Sequence, residues 1–161
     1  VSAAGFRAVV ITVSDRVHAG VYEDRSGPAA ASALEELGFA IVGSMAVPDE
    51  AGQITAALIA WSARAELVVT TGGTGCAPRD VTPEATVAVL ERPVPGIAEK
   101  MRIEGSAHEP RSWLSRGVAG LRGACLIVNL PGSPKGVRES LDAVGMLLVH
   151  AVKLATGDDA H

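Results

Sequence analysis

Three short runs of the chain are apolar almost without interruption: Phe6–Val13 (FRAVVITV), Glu66–Thr71 (ELVVTT) and Ala124–Asn129 (ACLIVN). A strand with one wet face alternates apolar and polar residues; a strand covered on both faces does not. The runs are too short for helices of ordinary length and rich in β-branched residues, so they read as strands buried on both sides. Phe39–Val47 reads as a fourth strand. Helical segments lie between them. Ser26-Gly27-Pro28 introduces a helix over Ala29–Leu37, with Gly38 placed as its C′ residue. Asp49 can N-cap a helix over Glu50–Arg64, whose Ile54, Leu58 and Trp61 share one stripe. Thr82 and Pro83 sit where an N-cap and a first helical residue belong, opening a helix to Leu90. Pro95-Gly96 opens another to about Gly105, and a final helix runs over Gly136–Ala155. Ser106–Gly123 shows no clear period.

The order is strand, helix, strand, helix, strand, helix, helix, strand, helix. That alternation implies an α/β fold with a mostly parallel sheet and helices on both faces. At 161 residues, with no repeat and no linker, the chain reads as one domain over residues 1–161.

Composition narrows the partners. Aromatics are only 3% of residues, too few for the stacking platforms of a single-stranded nucleic-acid binder. A net charge of −4 argues against a broad phosphate-backbone footprint, so no nucleic-acid partner is expected. No apolar run approaches the roughly 18 residues of a membrane span, and no secretory signal is evident. Cys76 and Cys125 lack metal spacing and read as buried free thiols, which suits a reducing cytoplasm. His18, His108, His150 and His161 show no ligand spacing, and His150 reads as a partly buried helix residue.

In an open parallel sheet, ligands bind where the loops leave the carboxyl ends of the strands. Four such loops can be read: Ser14-Asp15-Arg16, Pro48-Asp49-Glu50, Thr71 through Asp80, and Asn129 through Lys135. All are polar, and two are rich in Gly and Pro. Glycines at 72, 73 and 75 let successive backbone amides face a bound anion, with Thr71 and Thr74 adding hydroxyls. The spacing is that of neither a P-loop nor a dinucleotide fingerprint, and no nucleophile elbow is present. Asp49 and Asp80, expected at the ends of neighbouring strands, suit a hydrated Mg²⁺ beside phosphates, with Asp15 a third candidate. Arg16, Arg79, Arg116 and Lys135 are loop cations that could neutralise phosphate, Arg79 and Lys135 foremost.

Taken together these loops resemble the MogA/MoaB family of molybdenum cofactor biosynthesis, which is similar to the G domain of gephyrin. The resemblance rests on Thr70-Thr71-Gly72-Gly73-Thr74-Gly75, Pro78-Arg79-Asp80-Val81-Thr82-Pro83-Glu84-Ala85 and Pro95-Gly96-Ile97-Ala98-Glu99. Leu114-Ser115-Arg116 and Asn129-Leu130-Pro131-Gly132-Ser133-Pro134-Lys135 extend it, and Ser14-Asp15-Arg16, Gly20, Asp24 and Pro48-Asp49-Glu50 fit upstream. It covers about Arg7 to Leu154.

The resemblance implies a three-layer α/β/α sandwich, a homotrimer, and contact with other molybdenum-cofactor biosynthesis proteins. It implies Mg-ATP-dependent adenylylation of molybdopterin, with pyrophosphate released. Molybdopterin is then the substrate, ATP the co-substrate and Mg²⁺ the metal. The catalytic, metal-binding pair carries over to Asp49 and Asp80. Ser14, Asp15, Thr71, Gly72, Gly73, Thr74, Gly75, Arg79, Ser115, Pro131, Gly132, Ser133 and Lys135 carry over as substrate- and phosphate-binding residues. The alternative is a non-catalytic molybdopterin-binding or scaffold paralogue. A nicotinamide-dependent oxidoreductase is a third reading, weakened by the missing fingerprint.

Overall fold

The computed structural model describes residues 2–158; Val1 and His161 lie outside them. Six strands form one sheet: β1 (Arg7–Val13), β2 (Ala40–Val47), β3 (Leu67–Thr71), β4 (Arg92–Pro93), β5 (Ala119–Arg122) and β6 (Cys125–Leu130). Their order is β2-β1-β3-β6-β5-β4, with β2, β1, β3 and β6 mutually parallel and β5 antiparallel to both its neighbours. The helices are α1 (Asp15–His18), α2 (Ser26–Glu36), α3 (Ala51–Ser62), α4 (Thr82–Val87), α5 (Pro95–Ser106) and α6 (Pro134–Thr156). A 3-10 turn spans Pro110–Leu114.

The parity of the strands builds two cores. Ala8 and Val10 of β1, Leu67 and Val69 of β3, and Leu126 and Val128 of β6 pack against α2, α5 and α6. Val9 and Ile11, Val68, and Cys125 and Ile127 face the other way, onto Ile54, Ala57 and Leu58 of α3 and Ala85 of α4. Every residue of β3 and β6 is buried. These continuous apolar runs serve two faces at once, and the three-layer sandwich follows from them. Gly38 stands after the last residue of α2 with φ +98°, the left-handed position expected of it.

The structure corrects several sequence expectations. The sheet has six strands, not four. The segment over 106–123 contains β5, joined to β6 by a two-residue turn at Gly123-Ala124. Gly123 alone takes a positive φ there (+57°), the pattern of a Gly-first hairpin turn. That Gly-X signal is in the sequence, but Gly120 inside a four-residue strand hides the β pattern. Asp49 and Asp80 do not follow neighbouring strands, because β1 lies between β2 and β3. Glu50, not Asp49, is the N-cap of α3, and its side chain caps nothing. Thr82 is the first residue of α4 and not its cap, which is Val81. Cys76 and His150 are exposed; Cys125 is buried as expected. Trp61 is only half-buried: it lies over Gly43 and donates its indole N–H to Met45 Sδ at 3.1 Å.

Candidate functional site

The sheet reverses its order between β1 and β3, and there the loops after both strands open a crevice at the carboxyl edge. Gly72 and Gly73 leave β3 with φ of +89° and +67°, conformations that L side chains rarely adopt. A Cβ on Gly72 would lie 2.5 Å from the Val13 carbonyl oxygen, and one on Gly132 would lie 3.3 Å from Gly72 Cα. The two glycine turns therefore pass one another at backbone distance, which is why side chains are absent from both. Thr82, fully buried, donates its hydroxyl to the Gly72 carbonyl at 3.0 Å. Its backbone N–H donates to Gly73 O at 3.1 Å.

The amides of Gly73, Thr74, Gly75 and Cys76 find no acceptor among the described residues. Successive amides without an acceptor are donors that an anion could use, the chemistry of a nest.

Two cavities meet at this loop. The larger, about 630 Å³, is lined by Thr74, Gly75, Cys76, Ser115, Pro131, Ser133 and Lys135, with Met101, Arg102 and Asn129 among its walls. The smaller, about 390 Å³, is lined by Ser14, Thr71, Gly72, Gly132 and Ser133, with Thr12, Tyr22, Asp24 and Ser26. The loop thus enters one cavity at Gly72 and the other at Thr74, and Ser133 borders both.

Most expected site residues converge here, with different partners than the sequence suggests. Ser14 caps α1, accepting the Val17 N–H at 3.2 Å. The Thr71 hydroxyl lies 2.8 Å from that of Ser26. Ser133 caps α6, accepting the Gly136 N–H at 3.0 Å, and the Ser115 hydroxyl accepts the Gly117 N–H at 3.3 Å. Lys135 stands on the rim of the larger cavity, its nearest carboxylate Glu139 at 3.8 Å.

Arg79 does not reach the cavities. Its guanidinium binds Asp15, with Nε 2.6 Å from Oδ2 and Nη2 3.0 Å from Oδ1. Arg116 is likewise turned away from them, onto loop carbonyls.

Asp49 and Asp80 border the glycine loop and neither cavity. A Cβ on Gly73 would lie 3.2 Å from Asp49 Oδ1, and one on Gly75 2.8 Å from Asp80 Oδ2. Asp80 Oδ2 also accepts the Ala77 N–H at 2.9 Å. Burial pushes the Asp49 carboxyl above its ordinary range; the charges of Asp15 and Asp80 push the same way, against the Asp15 amide and Arg79. Asp15 is held below its ordinary range by the Arg79 hydrogen bond, then by the Asp49 amide. The two neighbouring carboxyls are thus pushed in opposite directions, Asp15 by its hydrogen bonds and Asp49 by its burial. Among the described residues no group of three or more His, Cys, Asp or Glu side chains could enclose a metal ion. A Mg²⁺ needs only one or two carboxylates when phosphates and waters complete its shell, and Asp49 and Asp80 are the carboxylates that flank the glycine loop.

Several contributors carry roles that the sequence did not assign them, although Asn129 and Asp24 lie in segments that carry the family resemblance. Asn129 donates its amide to the hydroxyls of Thr70 and Thr86, both at 3.0 Å, and accepts the Val118 N–H at 3.1 Å. Arg102 donates to the carbonyls of Ser115 and Gly117 and forms a wall of the larger cavity. Glu109 and Arg111 pair on the rim of that cavity, holding the Glu109 carboxyl down at about 2. Asp24 accepts from the Thr12 hydroxyl and the Gly27 amide. An Asp three residues ahead of a helical amide is a capping signal that marks Asp24 in the sequence. Nothing local marks the others.

Known proteins share this chain's sequence and fold. The family model described as a probable molybdopterin binding domain matches residues 9–150. A Helicobacter pylori (strain J99) protein named molybdopterin adenylyltransferase is 44% identical over 153 residues, covering 92% of this chain and 87% of the relative. The Escherichia coli K12 protein of the same name is 41% identical, covering 91% and 79%. The crystal structure of the molybdopterin biosynthesis enzyme MoaB from Thermus thermophilus superposes with a TM-score of 0.89 at 49% identity, covering 94% of this chain and 97% of that one.

Proposed function

The chain belongs to the molybdopterin-binding MogA/MoaB family of molybdenum cofactor biosynthesis, and from that premise we propose that it is a molybdopterin adenylyltransferase using ATP. The observation that carries this reading is the run of partnerless amides from Gly73 to Cys76, with Asp49 and Asp80 against its glycines and a cavity on either side. Two cavities bordering one loop suit a transfer between two phosphorylated substrates.

In the reaction, a terminal phosphate oxygen of molybdopterin attacks the α-phosphorus of ATP. A new P–O–P link forms, the bond from the α-phosphorus to the bridging oxygen breaks, and pyrophosphate leaves with that electron pair. The work falls to positioning and charge neutralisation, with no covalent enzyme intermediate. The Gly73–Cys76 amides hold phosphate oxygens, and the Lys135 ammonium offsets their charge from the rim. Ser14, Ser115 and Ser133 supply hydroxyls, and the walls formed by Thr71, Thr74, Pro131 and Gly132 shape the two spaces. Asp15 and Arg79 brace the loops that carry Asp49 and Asp80. Asp49 and Asp80 would hold Mg²⁺, which when bound neutralises phosphate charge.

The same reading includes a single domain over the whole chain, a homotrimer, contacts with other proteins of the pathway, and a cytoplasmic setting. Among the described residues no helix is long and apolar enough to cross a membrane.

The test is to incubate the purified protein with molybdopterin, ATP and Mg²⁺ and to follow adenylyl-molybdopterin and pyrophosphate by mass spectrometry. Both products are expected. Pterin binding with no ATP-dependent product would overturn the enzyme reading in favour of a binding protein.

A further inference from the structure

The orientation of the phosphate loop has an identifiable cause. Arg116 directs its backbone N–H at Thr74 O (2.8 Å), its Nε at Gly75 O (2.7 Å) and its Nη2 at Asp80 O (2.6 Å). Its Nη1 pairs with the Glu84 carboxylate in the first turn of α4. One residue thus grips the loop at both ends and ties it to the helix that follows. It lines neither cavity.

In a trans peptide the carbonyl of one residue and the N–H of the next point in opposite directions, and the described residues contain no cis bond. Drawing the Thr74 and Gly75 carbonyls onto Arg116 therefore turns the Gly75 and Cys76 amides away from it. Those amides belong to the partnerless run, and both residues line the larger cavity.

We propose that Arg116 is a positioning residue, whose hold on consecutive carbonyls aims the Gly75 and Cys76 amides at a bound phosphate or pyrophosphate. This rests on the reading of the loop as a phosphate nest. It differs from the sequence expectation that Arg116 meets phosphate directly, since its guanidinium donors are already turned onto the loop and Glu84. A lysine cannot replace it, because an ammonium lacks the planar fork that reaches three acceptors in fixed directions.

The test is calorimetric titration of inorganic pyrophosphate, and of a pterin lacking phosphate, into wild-type protein, Arg116→Lys and Glu84→Gln. Thermal unfolding is followed in parallel. Arg116→Lys keeps the backbone N–H on Thr74 O but releases the Gly75 carbonyl, so the Cys76 amide loses its aim and pyrophosphate binding should weaken about tenfold, the loss of one hydrogen bond to a charged ligand. It should leave binding of the phosphate-free pterin unchanged, which a general loosening of the fold would not. Glu84→Gln, which keeps the carbonyl contacts, should bind pyrophosphate like the wild type. Unchanged pyrophosphate affinity in Arg116→Lys, or equal losses in both variants, would overturn the proposal. Because the titration needs no turnover, it stands apart from the adenylylation assay. Failure of that assay with the pyrophosphate difference intact removes the enzyme reading and leaves the role of Arg116.

Discussion

Asp15 and Asp49 cap each other: the backbone N–H of each donates to the carboxylate of the other, both at 2.9 Å. The exchange locks the loop after β1 to the loop after β2. Arg79, on the loop after β3, joins through Asp15. Three strand ends are thereby held in one arrangement by one acidic pair and one cation, and Asp49 is left with its carboxylate beside Gly73.

That arrangement sets a pH-dependence. Burial raises the Asp49 carboxyl above its unfolded value. Between the unfolded and folded values the native state then binds more protons than the unfolded chain, so stability contributed by this group falls as pH rises through that window. At neutral pH the ionised Asp49 costs stability. Asp49→Asn keeps an oxygen able to accept the Asp15 N–H and removes the charge. It should raise Tm at neutral pH, narrow the gain seen on mild acidification, and lower turnover. Thermal melts across acid and neutral buffers check this, and a lower neutral Tm in the variant would contradict it.

Asp80→Asn separates chemistry from architecture. An asparagine carbonyl can still accept the Ala77 N–H that Asp80 now accepts, so the loop should persist with an unchanged Tm. Turnover should fall by roughly tenfold or more, because one of the two charges proposed to hold Mg²⁺ has gone. Wild-type activity would remove Asp80 from the mechanism.

Asn129 is a structural keystone inside the site. It is buried and serves three partners: Thr70 on β3, Thr86 on α4, and Val118 just before β5. Asn129→Ala leaves the Val118 amide unpaired and strips two buried hydroxyls of their donor. A loss of roughly 2–3 kcal/mol is expected from such a network, measurable by urea unfolding. A loss near zero would mean that water replaces the side chain.

The two thiols should behave oppositely. Burial pushes the Cys125 thiol up to about 12, while Cys76 is exposed and lines the larger cavity. A thiol reagent should modify Cys76 in the folded protein and reach Cys125 only after unfolding. Molybdopterin should slow the reaction at Cys76. Equal rates with and without it would take the larger cavity out of the substrate site.

The layered fold is legible because its signals are local. A double-faced strand writes its burial into consecutive residues, as in Val9-Val10-Ile11, and α6 repeats its apolar face through Val137, Leu141, Val144 and Leu148. The glycine loop is legible for the same reason, since left-handed φ and backbone contact both demand Gly at 72. β5 is not, because a four-residue strand interrupted by Gly120 owes its place to the β6 edge and not to its own pattern.

The sequence alone therefore determined the four parallel strands, the helices that layer them, and the edge at which polar loops gather. Only the tertiary structure decided what each loop residue does there. Arg79 and Arg116 are both cations on the expected loops, yet one is committed to Asp15 and the other to the Thr74, Gly75 and Asp80 carbonyls. Asp49 reads as a helix cap in the sequence, yet Glu50 takes that place and Asp49 binds an amide 34 positions away. Charge and spacing give a side chain its chemistry. Its partner depends on which strands the sheet sets side by side, and that is fixed by pairing between segments far apart in the chain.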